Sequence, residues 1–463
     1  PSTLKVTYDL NATEASVSFV DENGVSLPNP QSVGFSKDVD VADDSAYAQI
    51  PTQEGHHFVG WNTKADGTGA AFAPGSTLYH CDGESNGEMT LYAQWEESEH
   101  VARISRDGGK TWTYYGALIT GDYDGTTVDG AFDAANTGSG NVIIETLYAE
   151  HDRYALTKCF TFSRAADITI RANPKLAGKS RIVKAQATDP VIIYNGYRKT
   201  FTLQDLTFDG QNNPTTSGRG GIIRRGGSNG PYGLTITDCD FINACTSGDN
   251  GQGGAIAWEQ AVTINHTTGD AMRFENCHAS KAGGAIYTSG AFTVNLNNTG
   301  NGDVVFSECS SGTTGGALYV GDNDSATLRI NNSGKGTISF ANCTTTSGAG
   351  GAVGCGIFVA DSNRGTIRFK DCEAITTGGA INCTSTSNST YSNMNSNDGT
   401  IVFDSCHAQG NGGAVAYQRL FQAVGNAGKI TFSDCQSGGN GGAVAGAHNS
   451  STRKLEFRNT VGG

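Results

Sequence analysis

Four carboxylates flank a Gly-rich segment near the middle of the chain, residues 210–231. Carboxylates that converge on one strand face could act as acid and base or bind Ca²⁺. These four do not recur at the spacing that would place several carboxylates together on one face. We therefore expect no catalytic site from Asp205, Asp209, Asp238 and Asp240.

Three arginines lie within the same segment: Arg219, Arg224 and Arg225. A guanidinium group can donate paired hydrogen bonds to an anionic or hydroxylated ligand. Because variable loops on a rigid scaffold often carry function, we predict that residues 210–231 form a ligand-binding loop. The alternative is that the segment is only a solvated loop beside a strand edge.

The number and spacing of the remaining candidate metal ligands do not fit a metal site, and we expect no metal and no cofactor. Asp322-Asn-Asp324 is a short acidic turn that lacks the other ligands of a calcium loop. The nine histidines show no pairing at i and i+4, and no two cysteines have the C-x-x-C spacing of a zinc finger. Metal-dependent chemistry is therefore not expected.

Cys355 and Cys383 form a pair that could become a disulfide. Each lies five residues after the first Gly of a Gly-Gly motif, at Gly350 and at Gly378. The two motifs are adjacent copies of a repeat, so the sulfurs should occupy the same place in neighbouring repeats. If any bridge forms in the repeat region, we expect it here. The alternative is two small side chains that fill adjacent gaps.

The elements that position these residues repeat along the C-terminal half of the chain. One motif is Phe followed three residues later by Cys, and the other is Gly-Gly-Ala-aliphatic. Successive Cys residues of the first motif are 29 to 34 residues apart. The Phe motif occurs at Phe274, Phe306, Phe340, Phe369, Phe403 and Phe432, and the Gly motif begins at Gly253, Gly283, Gly315, Gly350, Gly378, Gly412 and Gly441.

A fixed strand-turn-strand unit with one variable loop per repeat is typical of a solenoid coil. The strand segments are short and lack the 3.6-residue period of a helix. We predict an all-β fold, a right-handed parallel β-helix over residues 141–463, with the six Phe side chains in one interior column. The Gly pairs should lie at bends or close backbone approaches, and the motif cysteines should be buried thiols without disulfides.

These repeats resemble those of the chlamydial polymorphic outer-membrane proteins and related adhesin-like β-helix proteins. That family pairs Gly-Gly-Ala-Ile with Phe-x-x-Asn, whereas Cys replaces the Asn in this chain. The resemblance implies a surface β-helix, and the departure favours a Gram-positive surface protein over a chlamydial one. The replaced positions are Cys277, Cys309, Cys343, Cys372, Cys406 and Cys435.

Residues 1–97 contain two further motifs, Gly55-His-His-Phe-Val-Gly-Trp-Asn-Thr-Lys64 and Leu91-Tyr-Ala-Gln-Trp95. On these motifs the segment resembles a second family, the Listeria–Bacteroides repeat first found in internalins as the B-repeat. It implies a small β-grasp-like module that serves as a spacer in cell-surface proteins. Trp61 and Trp95 should belong to its core, the alternative being a pair that stacks on a ligand. Residues 98–140 are predicted to be a linker, a hairpin and a helical N-terminal cap of the solenoid.

Composition excludes several classes of partner. The formal net charge is −14 and no large basic cluster occurs, so we expect no nucleic-acid binding. No stretch of 18 apolar residues occurs, so we expect no membrane insertion. We expect the chain to be a monomeric fragment of a larger extracellular protein, without its signal peptide and anchor.

Together these features predict an extracellular bacterial surface protein that acts as an adhesin or ligand-binding scaffold. Its partner would be a host or microbial surface glycan or protein. One alternative is a carbohydrate-active β-helix enzyme, a polysaccharide lyase or hydrolase, which fold analogy alone supports. Another alternative is a passive stalk that presents a further domain.

Overall fold

A computed structural model describes most of the chain, which divides into two compact units, Pro1–Val101 and Ala102–Gly463. The described residues are 3–12, 31–34, 39–40, 56–72, 77–78, 88–97, 100–122, 129–196, 199–226, 233–289, 293–361, 363–387, 392–395, 397–424, 427–446 and 454–458.

The N-terminal unit contains a five-stranded sheet built around Trp61. The Trp61 ring is 1% exposed, and its centroid lies 4.8 Å from that of Tyr8 and 5.1 Å from that of Phe58. Trp95 is half-buried, and its indole N–H donates to the Leu10 carbonyl at 2.8 Å. The core role predicted for Trp61 is confirmed. In sheet order the strands are Gln31–Gly34, Thr3–Asp9, Glu88–Glu97, His56–Asn62 and Ala71–Phe72, and a separate pair is Val39–Asp40 with Thr77–Leu78.

The second unit is a parallel β-solenoid, which confirms the predicted fold class. Its longest sheet, called here the long sheet, has thirteen strands. All neighbours in it pair in parallel except a hairpin at one edge, Ala102–Ser105 and Thr113–Tyr115, which pairs antiparallel. The other strands of the long sheet are Val142–Thr146, Ile168–Ala172, Phe201–Gln204, Leu234–Thr237, Val262–His266, Thr293–Asn298, Thr327–Asn332, Ile357–Ala360, Ser392–Asn393, Leu420–Val424 and Lys454–Arg458.

Three further parallel sheets complete the solenoid. The Phe sheet contains Ala155–Leu156, Ser180–Lys184, Leu206–Asp209, Asp240–Ile242, Met272–Glu275, Val304–Ser307, Thr337–Ala341, Thr366–Lys370, Thr400–Asp404 and Lys429–Ser433. The short sheet contains Cys245–Thr246, His278–Ala279, Ser310–Ser311, Thr344–Thr345, Glu373–Ala374, His407–Ala408 and Gln436–Ser437. The Gly-Ala sheet contains Phe160–Phe162, Ile192–Tyr194, Ile223–Arg225, Ile256–Ala257, Ile286–Thr288, Leu318–Val320, Val353–Cys355, Ile381–Cys383, Val415–Tyr417 and Val444–Gly446.

The Phe column is confirmed as an interior stack and is longer than predicted. Phe208 and Phe241 precede the six predicted rings in the same register. Neighbouring ring centroids are 4.6–5.2 Å apart, and the rings lie within 13° of parallel. All are fully buried except Phe432, which lies in the last Phe-sheet strand and is half-buried. Offset stacking of this kind stabilises each pair by about 1 kcal/mol beyond area burial.

The residue before each motif Cys has a left-handed backbone, which turns the chain from the Phe sheet into the short sheet. Asn276 has φ 52° and Asp371 has φ 50°. This region is sterically costly for most residues but is tolerated by Asn and Asp. The turn therefore explains why the Cys lies just beyond the end of the Phe strand. Equivalent positions are Asn243, Glu308, Asn342, Ser405 and Asp434.

The two glycines of each Gly-Gly motif have different roles. The first needs a positive φ, as at Gly315 with φ 68°. The second permits close contact between coils, because a Cβ on Gly316 would lie 1.9 Å from the Gly351 carbonyl oxygen. Both predicted roles of the pair, a bend and a close backbone approach, are thus confirmed.

A short helix, Ala131–Ala135, lies at the N-terminal end of the solenoid unit. Phe132 is buried in it, and its ring centroid is 5.4 Å from that of Phe160 and 5.2 Å from that of Phe162. Besides this helix the described residues contain a 3-10 turn, Asp152–Tyr154. No described helix has the length and hydrophobicity needed to cross a membrane.

Candidate ligand-binding cleft

Arg224 and Arg225 lie on a strand and not in a long loop, which corrects the position predicted for them. Their strand, Ile223–Arg225, belongs to the Gly-Ala sheet. Gly220-Gly221 is a further copy of the Gly-Gly turn, with φ 71° at Gly220. Ile-Ile follows this copy in place of Ala-Ile, so the sequence pattern conceals it.

The outward side chains of four consecutive coils form the floor of a cleft. Thr161 pairs in register with Ile193, Ile193 with Arg224, and Arg224 with Ala257. All four line a concavity of about 520 Å³. Since parallel strands are about 4.8 Å apart, this floor extends about 14 Å along the direction in which the coils stack.

Two walls flank the floor, one from the chain before the strands and one from the chain after them. Gly218, Arg219 and Asn250 precede their strands, whereas Asn195 and Glu259 follow theirs. Arg225 and Gly226 also line the cleft, so all three predicted arginines reach it. The sequence did not reveal Asn195, Asn250 and Glu259 as partners, because only strand register brings them together.

Gly218 leaves room for the guanidinium of Arg224. A Cβ at Gly218 would lie 2.9 Å from Arg224 Nη1. Arg224 is half-buried and forms no ion pair with any carboxylate of the described residues. Its donors are therefore available to a ligand in the cleft.

Arg219 closes one end of the cleft. It forms an ion pair with Glu259, and its guanidinium carbon lies 5.5 Å from the centroid of the Tyr287 ring. Tyr287 in turn stacks on Tyr319, with centroids 5.3 Å apart and planes 9° from parallel. The ion pair joins one wall to the other above this stack, where the cation also interacts with the aromatic face.

Buried polar contacts fix the segment that leads to Arg219. The Lys184 ammonium is buried, and it donates to the Asn213 carbonyl and to Thr215 Oγ1, both at 2.8 Å. Burial lowers the pKa of Lys184 to about 8. Asn213 Nδ2 donates back to the Lys184 carbonyl at 2.8 Å. The wall is thus held before any ligand arrives, which lowers the entropic cost of binding.

The carboxylates noted in the sequence do not converge on this cleft. Asp209 pairs with Arg181 at 2.6 Å, and Asp240 pairs with Lys179 at 2.6 Å. Asp205 and Asp238 line a second concavity of about 270 Å³ together with Asn173, Pro174, Leu176, Ala177, Gly178, Lys179, Thr268 and Asp270.

Asp238 is committed to buried hydrogen bonds. Its Oδ1 lies 2.7 Å from His266 Nδ1, and its Oδ2 accepts from Thr267 Oγ1 at 2.6 Å. Burial opposes ionisation of Asp238, but the hydrogen bonds from His266 and Thr267 outweigh it and lower the pKa to about 2. Burial raises the pKa of Asp205, and the negative charge of the nearby Asp238 raises it further. Asp238, His266 and Thr267 therefore form a structural hydrogen-bonded network in which the Asp238 carboxylate is ionised.

Asp324, from the short acidic turn, accepts hydrogen bonds from the protein's own backbone and from a serine hydroxyl. Its Oδ1 accepts from Thr386 N–H at 2.6 Å, Ser387 N–H at 3.1 Å and Ser385 Oγ at 3.0 Å. Within the residues that the structure describes, no group of three or more His, Cys, Asp or Glu side chains could hold a metal ion.

The motif cysteines are free thiols in the structure. Each donates to the carbonyl of a Phe in the preceding coil, as Cys309 Sγ does to Phe274 O at 3.4 Å. Cys355 and Cys383 are also free thiols, and they pair directly in register in the Gly-Ala sheet. The predicted preference for a bridge at this second pair remains a prediction.

Comparisons with known proteins give a family match in the N-terminal unit and a partial match to a bacterial protein. Residues 16–94 match the family model of the Listeria-Bacteroides repeat domain. A protein of Evansella cellulosilytica with the provisional name Gly-rich membrane protein is 27% identical over 122 residues. That match covers 26% of this chain and only 13% of the relative. No solved structure matches the chain.

Proposed function

We propose that the chain belongs to an extracellular bacterial surface protein, an adhesin or ligand-binding scaffold, with the Arg224 cleft as its binding site. The observation that carries the proposal is a concave surface lined by three arginines and supported by a parallel β-solenoid. The Listeria-Bacteroides repeat and the name of the Evansella cellulosilytica relative support a surface location. The partner would be a host or microbial surface glycan or protein.

Binding suits this cleft better than hydrolysis. Hydrolysis of a glycosidic bond usually needs two carboxyl groups on either side of it. Among the described residues that line the cleft, Glu259 is the one carboxylate, and it is ion-paired with Arg219. A binding scaffold needs only fixed donors, which Arg224 and its neighbours supply.

A binding screen tests the proposal. The purified chain would be applied to arrays of glycans and of surface proteins, alongside Arg224→Gln and a matched control, Arg329→Gln. Arg329 lies on the long sheet, outside the cleft, and pairs with Asp361 at 3.1 Å. We expect discrete binding that Arg224→Gln abolishes and Arg329→Gln retains. Absence of any binding would support a passive stalk, and release of products from a bound glycan would support an enzyme; either outcome contradicts the proposal.

A further inference from the structure

We propose that the ligand of the cleft is a linear anionic polysaccharide whose chain lies along the direction of coil stacking, with an acidic group bound by Arg224. This inference rests on the proposed function and adds the chemical class and orientation of the ligand.

The shape of the cleft favours an extended ligand. Its floor runs through one outward residue of each of four consecutive coils, from Thr161 to Ala257. The length of about 14 Å that four strands give is similar to that of a trisaccharide. Each floor position stacks on the equivalent position of the next coil.

The charge of the cleft favours an anion. The chain has a formal net charge of −14, yet the lining of this cleft contains three arginines and one glutamate. The glutamate is neutralised by Arg219, and Arg224 is left at the centre of the floor without a carboxylate partner in the described residues. A guanidinium in this position binds a carboxylate or sulfate group with paired hydrogen bonds.

The lining favours sugar over an acidic peptide. Thr161, Asn195 and Asn250 offer hydroxyl and amide groups that suit a ligand rich in hydroxyls. Ile193, which is half-buried, provides a small apolar surface beside Arg224, against which the C–H face of a sugar ring can pack. An extended peptide that binds by strand addition would need a free strand edge for its backbone. The strands of Ile193, Arg224 and Ala257 already pair with a neighbour on each side.

The Arg219–Glu259 pair limits the length of the ligand. It joins the two walls above Tyr287, the floor position of the coil that follows Ala257. The tyrosine is 7% exposed beneath it. Neutralising Glu259 would release Arg219 to the ligand, so a Glu259→Gln variant should bind an anionic chain more tightly than the parent does.

Calorimetry with defined oligosaccharides tests the inference. The probes are oligogalacturonates from monomer to hexamer, their methyl esters, sulfated oligosaccharides of the same lengths, and polyglutamate. We expect affinity for an acidic oligosaccharide to rise up to the trimer or tetramer and then level off. Arg224→Gln should weaken it by about 10-fold to 100-fold, the usual effect of losing a charged hydrogen-bond donor. Glu259→Gln should strengthen it, and Arg329→Gln should leave it unchanged.

The probes distinguish carboxylate from sulfate as the group that the cleft recognises. They also distinguish failure of this inference from failure of the proposed function. Preference for oligogalacturonate identifies carboxylates, and preference for the sulfated series identifies sulfates. Equal binding of the methyl esters, or tighter binding of polyglutamate, would overturn the inference while leaving a ligand-binding scaffold in place. If none of these probes binds but the arrays show a neutral glycan or a protein whose binding depends on Arg224, the inference alone fails. If the arrays also show no binding, the proposed function fails together with the inference.

Discussion

Cys355 and Cys383 lie directly opposite each other in adjacent parallel strands, and both side chains are buried. Parallel strand pairing separates their Cα atoms by about 4.8 Å, which lies inside the range of about 4.4–6.8 Å found in disulfides. Burial raises the pKa of the Cys355 thiol and keeps it neutral. The hydrogen bond with Cys355 lowers the pKa of the Cys383 thiol. The pair is therefore close enough for a bridge.

The first prediction is that oxidation joins Cys355 to Cys383 before any motif Cys reacts. A low-molecular-weight disulfide added to the folded protein would be the oxidant and would take up the two electrons. The bridge would close a loop of fewer than 30 residues and stabilise the fold by about 2–4 kcal/mol, less any strain. Mass spectrometry of the unreduced, alkylated protein would locate it. Bridges among Cys277, Cys309, Cys343, Cys372, Cys406 and Cys435, with Cys355 and Cys383 alkylated, would contradict the prediction.

The second prediction concerns acid stability and Asp238. Its pKa falls from the ordinary 3.8 to about 2 in the folded state. A lowered carboxyl pKa stabilises the fold above the unfolded pKa, and this stability is lost as the pH falls through the folded value. The contribution of Asp238 is about 2 kcal/mol near neutral pH and should disappear between about pH 4 and about pH 2.

Denaturant titrations of the parent and of Asp238→Asn at a series of pH values would measure this contribution. The two proteins should differ most above about pH 4 and converge as the pH approaches about 2. Asp270→Asn is the control, because Asp270 lines the same small concavity but is exposed. A difference between parent and Asp238→Asn that stays constant with pH would refute the assignment.

Strict repetition of residue types made the solenoid predictable. The Phe and Gly positions recur with the same side chains, because a ring must stack on a ring and only Gly allows the contact between turns. The left-handed position before each Cys was not predictable in this way. It is occupied by Asn276, Glu308 and Ser405 among others, since the backbone sets the requirement and several polar residues meet it.

The cleft was only partly predictable. Arg219, Arg224 and Arg225 stood out by charge, but their positions depend on the copy of the Gly-Gly turn at Gly220-Gly221, which lacks the usual Ala. Asn195 and Glu259 lie on different coils and come together only through strand register. The coils of Asn195 and Arg224 lack the complete Gly-Gly-Ala motif that set the register of Cys355 and Cys383, so spacing alone did not place these residues together.

The third prediction tests the interior Phe column at Phe340. Its ring is fully buried between those of Phe306 and Phe369, with both centroid distances 4.8 Å. Phe340→Ala would leave a cavity that the rigid neighbouring coils cannot fill, and should lower the free energy of unfolding by about 3–5 kcal/mol. Phe432→Ala is the matched control. Because Phe432 is half-buried and has one stacked neighbour in the described column, its replacement should cost clearly less.

Denaturant unfolding of Phe340→Ala, Phe432→Ala and the parent would measure the free energy of unfolding that each substitution removes. Equal losses of stability at Phe340 and Phe432 would show that the column is not the source of the coil-to-coil stabilisation. If Phe340→Ala unfolds at the same denaturant concentration as the parent, the ring is not interior.

The fourth prediction concerns the second glycine of the motif, at Gly316. A Cβ there would lie 1.9 Å from the Gly351 carbonyl oxygen and 2.6 Å from the Thr344 backbone nitrogen. Both obstacles are backbone atoms of the next coil, so no side chain can rotate away. Gly316→Ala should therefore force the coils apart and destabilise the fold by about 1–3 kcal/mol, as overpacking does.

Gly269→Ala is the matched control for this steric effect. A Cβ at Gly269 would meet no atom within 4 Å, and its φ is not positive. Both substitutions reduce the entropy of the unfolded chain by a similar amount, which by itself stabilises the fold by about 0.4–1 kcal/mol. The difference between the two variants in denaturant midpoint therefore reports the contact between coils. If Gly316→Ala unfolds at the same denaturant concentration as Gly269→Ala, the coils are not in contact at this turn, and the second glycine has no steric role.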